Sequence, residues 1–149
     1  LTHNIIFMSA ITGWFVAQVL KTIIHIIVNK QFVAERLVGG GGMPSSHSAT
    51  VCALATATGI RYGGGSFEFA LAAVFAIVVM YDAMGVRQET GKQGKVLNEM
   101  MEIFTQMGKN IDAEKALKEL VGHTPLQVLM GAILGIIIAI GMCNMQFFA

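Results

Sequence analysis

A chain of 149 residues has room for one domain. Hydrophobic residues make up 54% and charged ones only 13%, with a mean hydropathy of +0.65, which excludes an ordinary soluble globule and marks an integral membrane protein. The formal net charge of +1 says little about partners, and nucleic acid is not expected among them; where the charges fall matters more.

The first apolar run, from about Asn4 to Val28, is too long for a signal-peptide core and has no basic leader, so it reads as a membrane span. Without an initiator Met, the chain is expected to be cut short at its very start. The second run, Ser45 to about Ile60, is short and rich in Ala, Ser and Thr; it suits a helix packed inside a bundle better than one facing lipid. A third span is expected from about Phe67 to Met84 and a fourth from about Pro125 to Phe148. Backbone groups in hydrocarbon must pair within their own segment, so all four are helices. The fold class predicted is an all-α, polytopic bundle of about four transmembrane helices with a cytoplasmic amphipathic segment. Cys52 and Cys143 lie in apolar runs and read as small packing residues rather than a disulfide.

The amphipathic segment runs from about Arg87 to Gly122. Leu97, Met100, Met101, Phe104 and Met107 recur at helical spacing, and Gly108-Lys109-Asn110 interrupts them. Asp112 is placed to cap a second short helix carrying Leu117, Leu120 and Val121, with Gly122 as its stop. Such a segment lies on the membrane surface or closes over a site as a lid.

Four crossings put both termini on one side. The other side receives Lys30, Arg36, Arg87, Lys92, Lys95, Lys109, Lys115 and Lys118, against Arg61 on the terminal side, so the positive-inside rule makes it cytoplasmic. His47 at the start of the second helix, Arg87 after the third and His123 before the fourth then share the cytoplasmic level.

Both prolines stand next to this level. Pro44 lies in Gly39-Gly-Gly-Gly-Met43-Pro44-Ser45-Ser46-His47, and Pro125 follows Gly122-His123-Thr124. Proline suits a helix's first turn, so both histidines are expected at helix N-termini, where free N–H groups and the dipole favour an anion such as phosphate. The glycine run lets backbone approach a ligand closely, while Ser45 and Ser46 also suit simple helix caps. Lys21 sits within the first span, with Gln18 three residues before it and His25 four after, on one polar stripe. A cation in hydrocarbon costs ~2.5–3.5 kcal/mol even on insertion scales, so Lys21 either snorkels or faces a partner inside the bundle; an anion is the preferred partner. Arg87 serves as an interfacial anchor or as a fork for phosphate oxygens. Gly131 and Gly135 form a small-xxx-small face read as helix packing.

Taken together these residues resemble the type 2 phosphatidic acid phosphatase (PAP2) superfamily, in its short, divergent branch. Pro44-Ser45-Ser46-His47 is similar to the Pro-Ser-Gly-His motif. His123-Thr124-Pro125-Leu126-Gln127-Val128, followed by Gly131 and Leu134-Gly135, is similar to the end of the third motif, His-x-Pro-x-Asp-Val leading into Gly-x-x-Leu-Gly. The resemblance implies phosphotransfer without metal or other cofactor. His123 would be the nucleophile and His47 the general acid, with Lys21, Ser45, Ser46 and Arg87 binding the phosphate. Gln127 stands where the family has an Asp that orients the nucleophile, leaving Asp82 and Glu119 as further candidates for that support. The family's Arg-Pro after the first-motif Lys is absent, with Lys30 and Arg36 the nearest cations.

The expected function is therefore an integral membrane phosphatase of a lipid phosphate or diphosphate, in a bacterial inner (plasma) membrane with its site facing the cytoplasm. Membrane lipids are its surroundings, and the glycine-faced last helix permits a homo-oligomer. The alternatives are a non-catalytic binder or carrier of lipid phosphates, and a structural subunit with an idle site.

Overall fold

The computed structural model describes residues 4–30, 42–106 and 123–147. They form five helices: α1 (Ile5–Asn29), α2 (Ser46–Tyr62), α3 (Phe67–Met84), α4 (Val86–Gln106) and α5 (Pro125–Phe147), with no strand among the described residues. By length and composition α1, α3 and α5 can each cross a bilayer. The shorter α2 runs alongside them as the fourth member and packs against all three.

The bundle is patterned inside out. Its buried apolar residues are mostly small: Ala10 and Ala17 on α1, Ala49, Ala53 and Ala57 on α2, Ala72, Ala76 and Ala83 on α3, Ala139 on α5. Large apolar side chains such as Phe15, Leu71, Val74 and Ile137 point outward. In water that arrangement would waste apolar area; in lipid it is the favourable one, because chains as apolar as Leu gain nothing by hiding and small residues let backbones close up.

Small residues recur every four positions along the contact between α2 and α5. Ser45, Ala49, Ala53 and Ala57 follow one side; Gly131, Gly135, Ala139 and Cys143 follow the other. The approach is close enough that a methyl group on Gly131 would overlap the Ser45 carbonyl oxygen, and one on Gly135 that of Ala49. The Gly131–Gly135 face is thus a packing face, as its spacing suggests. The same pairs show that α2 and α5 run parallel. On α1, Gly13 faces Ala49 and Ala53 while Lys21 reaches Ser46, so α1 is antiparallel to α2. Cys52 against Met80 and Gly59 against Phe69 make α3 antiparallel to α2 as well. The end of α1, the start of α2, the end of α3 and the start of α5 therefore share one end of the bundle.

Helix α4 leaves α3 through Gly85 and, among the described residues, packs only against α3. It is amphipathic, as the spacing of Leu97, Met100, Met101 and Phe104 predicts, and Leu97, Met100, Ile103 and Phe104 are exposed. The expected break at Gly108-Lys109-Asn110 and the helix after Asp112 lie outside the described residues.

One local expectation is corrected. Pro44 does not occupy the first turn of α2: the N-cap is Ser45, whose Oγ accepts from the Ser48 N–H, so the helix begins at Ser46 and Pro44 precedes the cap. A side chain able to close an orphan N–H decides the boundary ahead of proline's fixed φ. Pro125, by contrast, is the first residue of α5.

Candidate functional site

Four chain segments converge at that shared end. Lys21 is carried by α1 about two turns before its C-terminus. Its side chain is 2% exposed, and its Nζ lies 3.4 Å from Ser46 Oγ. Gly42 closes over it: with φ at +103° this position needs glycine, and a Cβ would sit 3.0 Å from Lys21 Cγ. Ser45 and Ser46 are both buried at the start of α2.

His47 follows on α2, half-buried, and its ring lies 5.7 Å from that of His123, centroid to centroid, at 61°. These residues lie far apart in the chain, and two backbone bonds bring them together. The His123 N–H donates to the Ala83 carbonyl at 3.1 Å, tying the start of α5 to the end of α3. The Ser45 N–H donates to the Gln127 carbonyl at 3.0 Å, tying it to the start of α2.

The most informative side chain is Gln127. Its Oε1 lies 3.1 Å from the Thr124 amide nitrogen, while its own N–H donates to Thr124 Oγ1 at 3.3 Å. This is a reciprocal capping box, Thr-x-x-Gln, at the mouth of α5. The same Oε1 lies 3.2 Å from His123 Nδ1. A backbone amide can only donate, so the atom facing it is the carboxamide oxygen. An oxygen facing Nδ1 requires that nitrogen to carry the proton, which in the neutral ring leaves the lone pair on Nε2. Thr124 was not singled out by sequence reasoning, although Thr-x-x-Gln opening an apolar run is a readable capping signal.

The other candidates are placed differently. Asp82 is exposed near the end of α3, beside the Ala83 that holds the His123 amide, and the oxygen at Nδ1 belongs to Gln127. Arg87 lies in the first turn of α4, and its side chain is outside the described residues, as are Arg36 and Glu119 entirely. Lys30 ends α1 as a left-handed cap (φ 52°), exposed and nine positions beyond Lys21. Cys52 and Cys143 are separate free thiols buried in the bundle. Among the described residues no three His, Cys, Asp or Glu side chains gather as metal ligands.

The site thus joins two imidazoles, one with its tautomer set, to a buried ammonium, two serine hydroxyls and the starts of two parallel helices. Such a set suits a tetrahedral oxyanion. No solved structure matches this chain. It is 36% identical to the uncharacterized membrane protein YuiD of Bacillus subtilis (strain 168), with 94% of each chain covered. The model of the divergent PAP2 family matches residues 2–138, and with His47, His123 and the capped start of α5 inside that span, the chain is a membrane protein of the divergent PAP2 family.

Proposed function

We propose that this protein hydrolyses a lipid phosphate or diphosphate through a phosphohistidine intermediate, without a metal. The observation that carries the reading is the pair of imidazoles 5.7 Å apart beside the buried Lys21–Ser46 contact. His123 Nε2 attacks phosphorus and forms the N–P bond as the P–O bond to the lipid oxygen breaks. Protonated His47 gives its proton to that leaving oxygen. Neutral His47 then takes a proton from water, whose oxygen attacks phosphorus, and the N–P bond breaks to release orthophosphate. Lys21, Ser45, Ser46 and Arg87 hold the phosphoryl oxygens, and Gln127 keeps His123 in its reactive tautomer. Positioning and charge stabilisation carry most of phosphoryl transfer, so this set suffices in kind.

A lipid substrate follows from the surroundings. The site sits at the end of apolar helices, where a headgroup enters while its tails stay in the bilayer. That end also carries Lys30, Arg87, Lys92 and Lys95, whereas Arg61 ends α2 at the other, which supports a cytoplasm-facing site in a bacterial plasma membrane.

The test is to trap the intermediate. Purified protein mixed with a lipid phosphate bearing a labelled phosphoryl group and quenched in alkali should retain label on His123, and His123→Ala should retain none and release no phosphate. Full turnover by His123→Ala would overturn the reading. The uncharged Gln127 at Nδ1 favours a second reading, a carrier that binds without turnover, for which no label is trapped while the lipid phosphate still binds.

A further inference from the structure

Three threonine hydroxyls in this bundle are satisfied within their own helix. Thr22, Thr50 and Thr58 each donate to the carbonyl four residues back, those of Gln18, Ser46 and Leu54, at 2.7–2.9 Å. The buried side chains of Ser48 and Gln18 are not satisfied in this way. Ser48 is 0% exposed and Gln18 5%, yet among the described residues Ser48 Oγ and Gln18 Oε1 have no hydrogen-bond partner. Native structures keep few such atoms, because an unsatisfied buried polar group costs stability that an apolar group of the same shape would not.

Their position gives the atoms a use. Lys21 stands beside Ser46 and Gly13 beside Ala49, so Gln18, three residues inside Lys21 on the same stripe, lies at the depth of the first turn of α2. Ser48 occupies that turn, next to His47, with its N–H on Ser45 Oγ. Across from it stands Gly131, with no side chain to answer the hydroxyl. Gln18 therefore lies about one helical turn deeper than Lys21, and Ser48 two residues deeper than Ser46. Ser9, the other fully buried serine whose hydroxyl lacks a partner among the described residues, lies elsewhere. It belongs to the deep half of α1, one turn from the Ile5 and Ile6 that pack on Ala53, Ala57, Ala139 and Cys143.

We propose that Gln18 and Ser48 are the floor of the phosphate site, hydrogen-bonding from below a phosphate that Lys21 and Ser46 hold from above. This rests on the anion-binding part of the reading above and adds two ligand contacts to it. The Ser48 hydroxyl can donate to an unprotonated phosphate oxygen and the Gln18 Oε1 can accept from a protonated one, so the pair serves the phosphate in either protonation state without adding charge.

The experiment uses the full chain in detergent with inorganic phosphate as the probe, reading its Kd and its effect on Tm. Ser48→Ala and Gln18→Leu should each weaken phosphate about tenfold or more, since each removes a hydrogen bond to a charged ligand. Without phosphate, their Tm should equal or exceed that of the parent, because an unsatisfied polar atom has gone. Ser9→Ala should match them in Tm and keep the parent's phosphate affinity. Parent-like phosphate binding by Ser48→Ala would overturn the floor while leaving the anion site standing. Absence of phosphate binding by the parent protein would overturn the site itself, and the floor with it. Should Gln18→Leu not fold, Ser48→Ala, a loss of one oxygen, decides alone.

Discussion

Gln127 Oε1 stands 3.2 Å from His123 Nδ1 and 3.1 Å from the Thr124 amide nitrogen, so one carboxamide oxygen both closes the start of α5 and fixes the tautomer of the histidine before it. Orientation of the candidate nucleophile is thereby coupled to helix capping. The family motif places a carboxylate here; the neutral amide retains the tautomer control and gives up the charge that would stabilise an imidazolium.

Two substitutions separate these roles. Gln127→Leu loses the return bond of the capping box and the partner of Nδ1, so a stability loss of about 1 kcal/mol should accompany a fall in phosphate release of about 100-fold or more. Gln127→Glu keeps an oxygen at both positions and should restore turnover to at least the parent level. Thermal unfolding and steady-state kcat on the same preparations check this; parent-like kcat in Gln127→Leu would remove Gln127 from the site.

Lys21 invites the opposite signature. The residue is 2% exposed, and replacing buried ionic groups by well-packed apolar ones of similar volume is often neutral or stabilising. Lys21→Met should leave Tm unchanged or higher while raising KM for a lipid phosphate about tenfold or more. A fall in Tm with unchanged KM would make the lysine a structural cation.

The parallel seam between α2 and α5 predicts a contrast between glycines of one helix. Gly135→Ala drives a methyl into the Ala49 carbonyl and should cost about 1–3 kcal/mol, lowering activity because the helix starts bearing His47 and His123 must part. Gly141→Ala meets nothing within 4 Å and should be neutral or gain up to about 1 kcal/mol from helix propensity. Unfolding in detergent distinguishes the two.

Phosphate release should persist in EDTA, since Lys21, the serine hydroxyls and the two helix starts supply the charge stabilisation. Orthovanadate, which adopts the trigonal-bipyramidal geometry of the transferring phosphoryl group, should inhibit competitively. Activity abolished by EDTA and restored by a divalent cation would sink the metal-free mechanism.

Hydropathy and residue size alone determined much of this protein. They give the three apolar spans, the interior character of the Ala/Ser/Thr-rich α2, the amphipathic α4, and the placement of His47 and His123 at helix starts that alternate crossings bring to one end. These are one-dimensional properties, fixed by the bilayer's thickness and its refusal of unpaired backbone. Tertiary structure decided the rest. That Lys21 meets Ser46, that Gln127 and not exposed Asp82 holds Nδ1, and that Lys30 ends α1 as an exposed cap are matters of helix register and rotation. Register is set where Gly131 and Gly135 let the α5 backbone touch that of α2. A shift of one residue turns a helix by about 100°, which no count of apolar residues resolves and only the fit of one packed surface against another does.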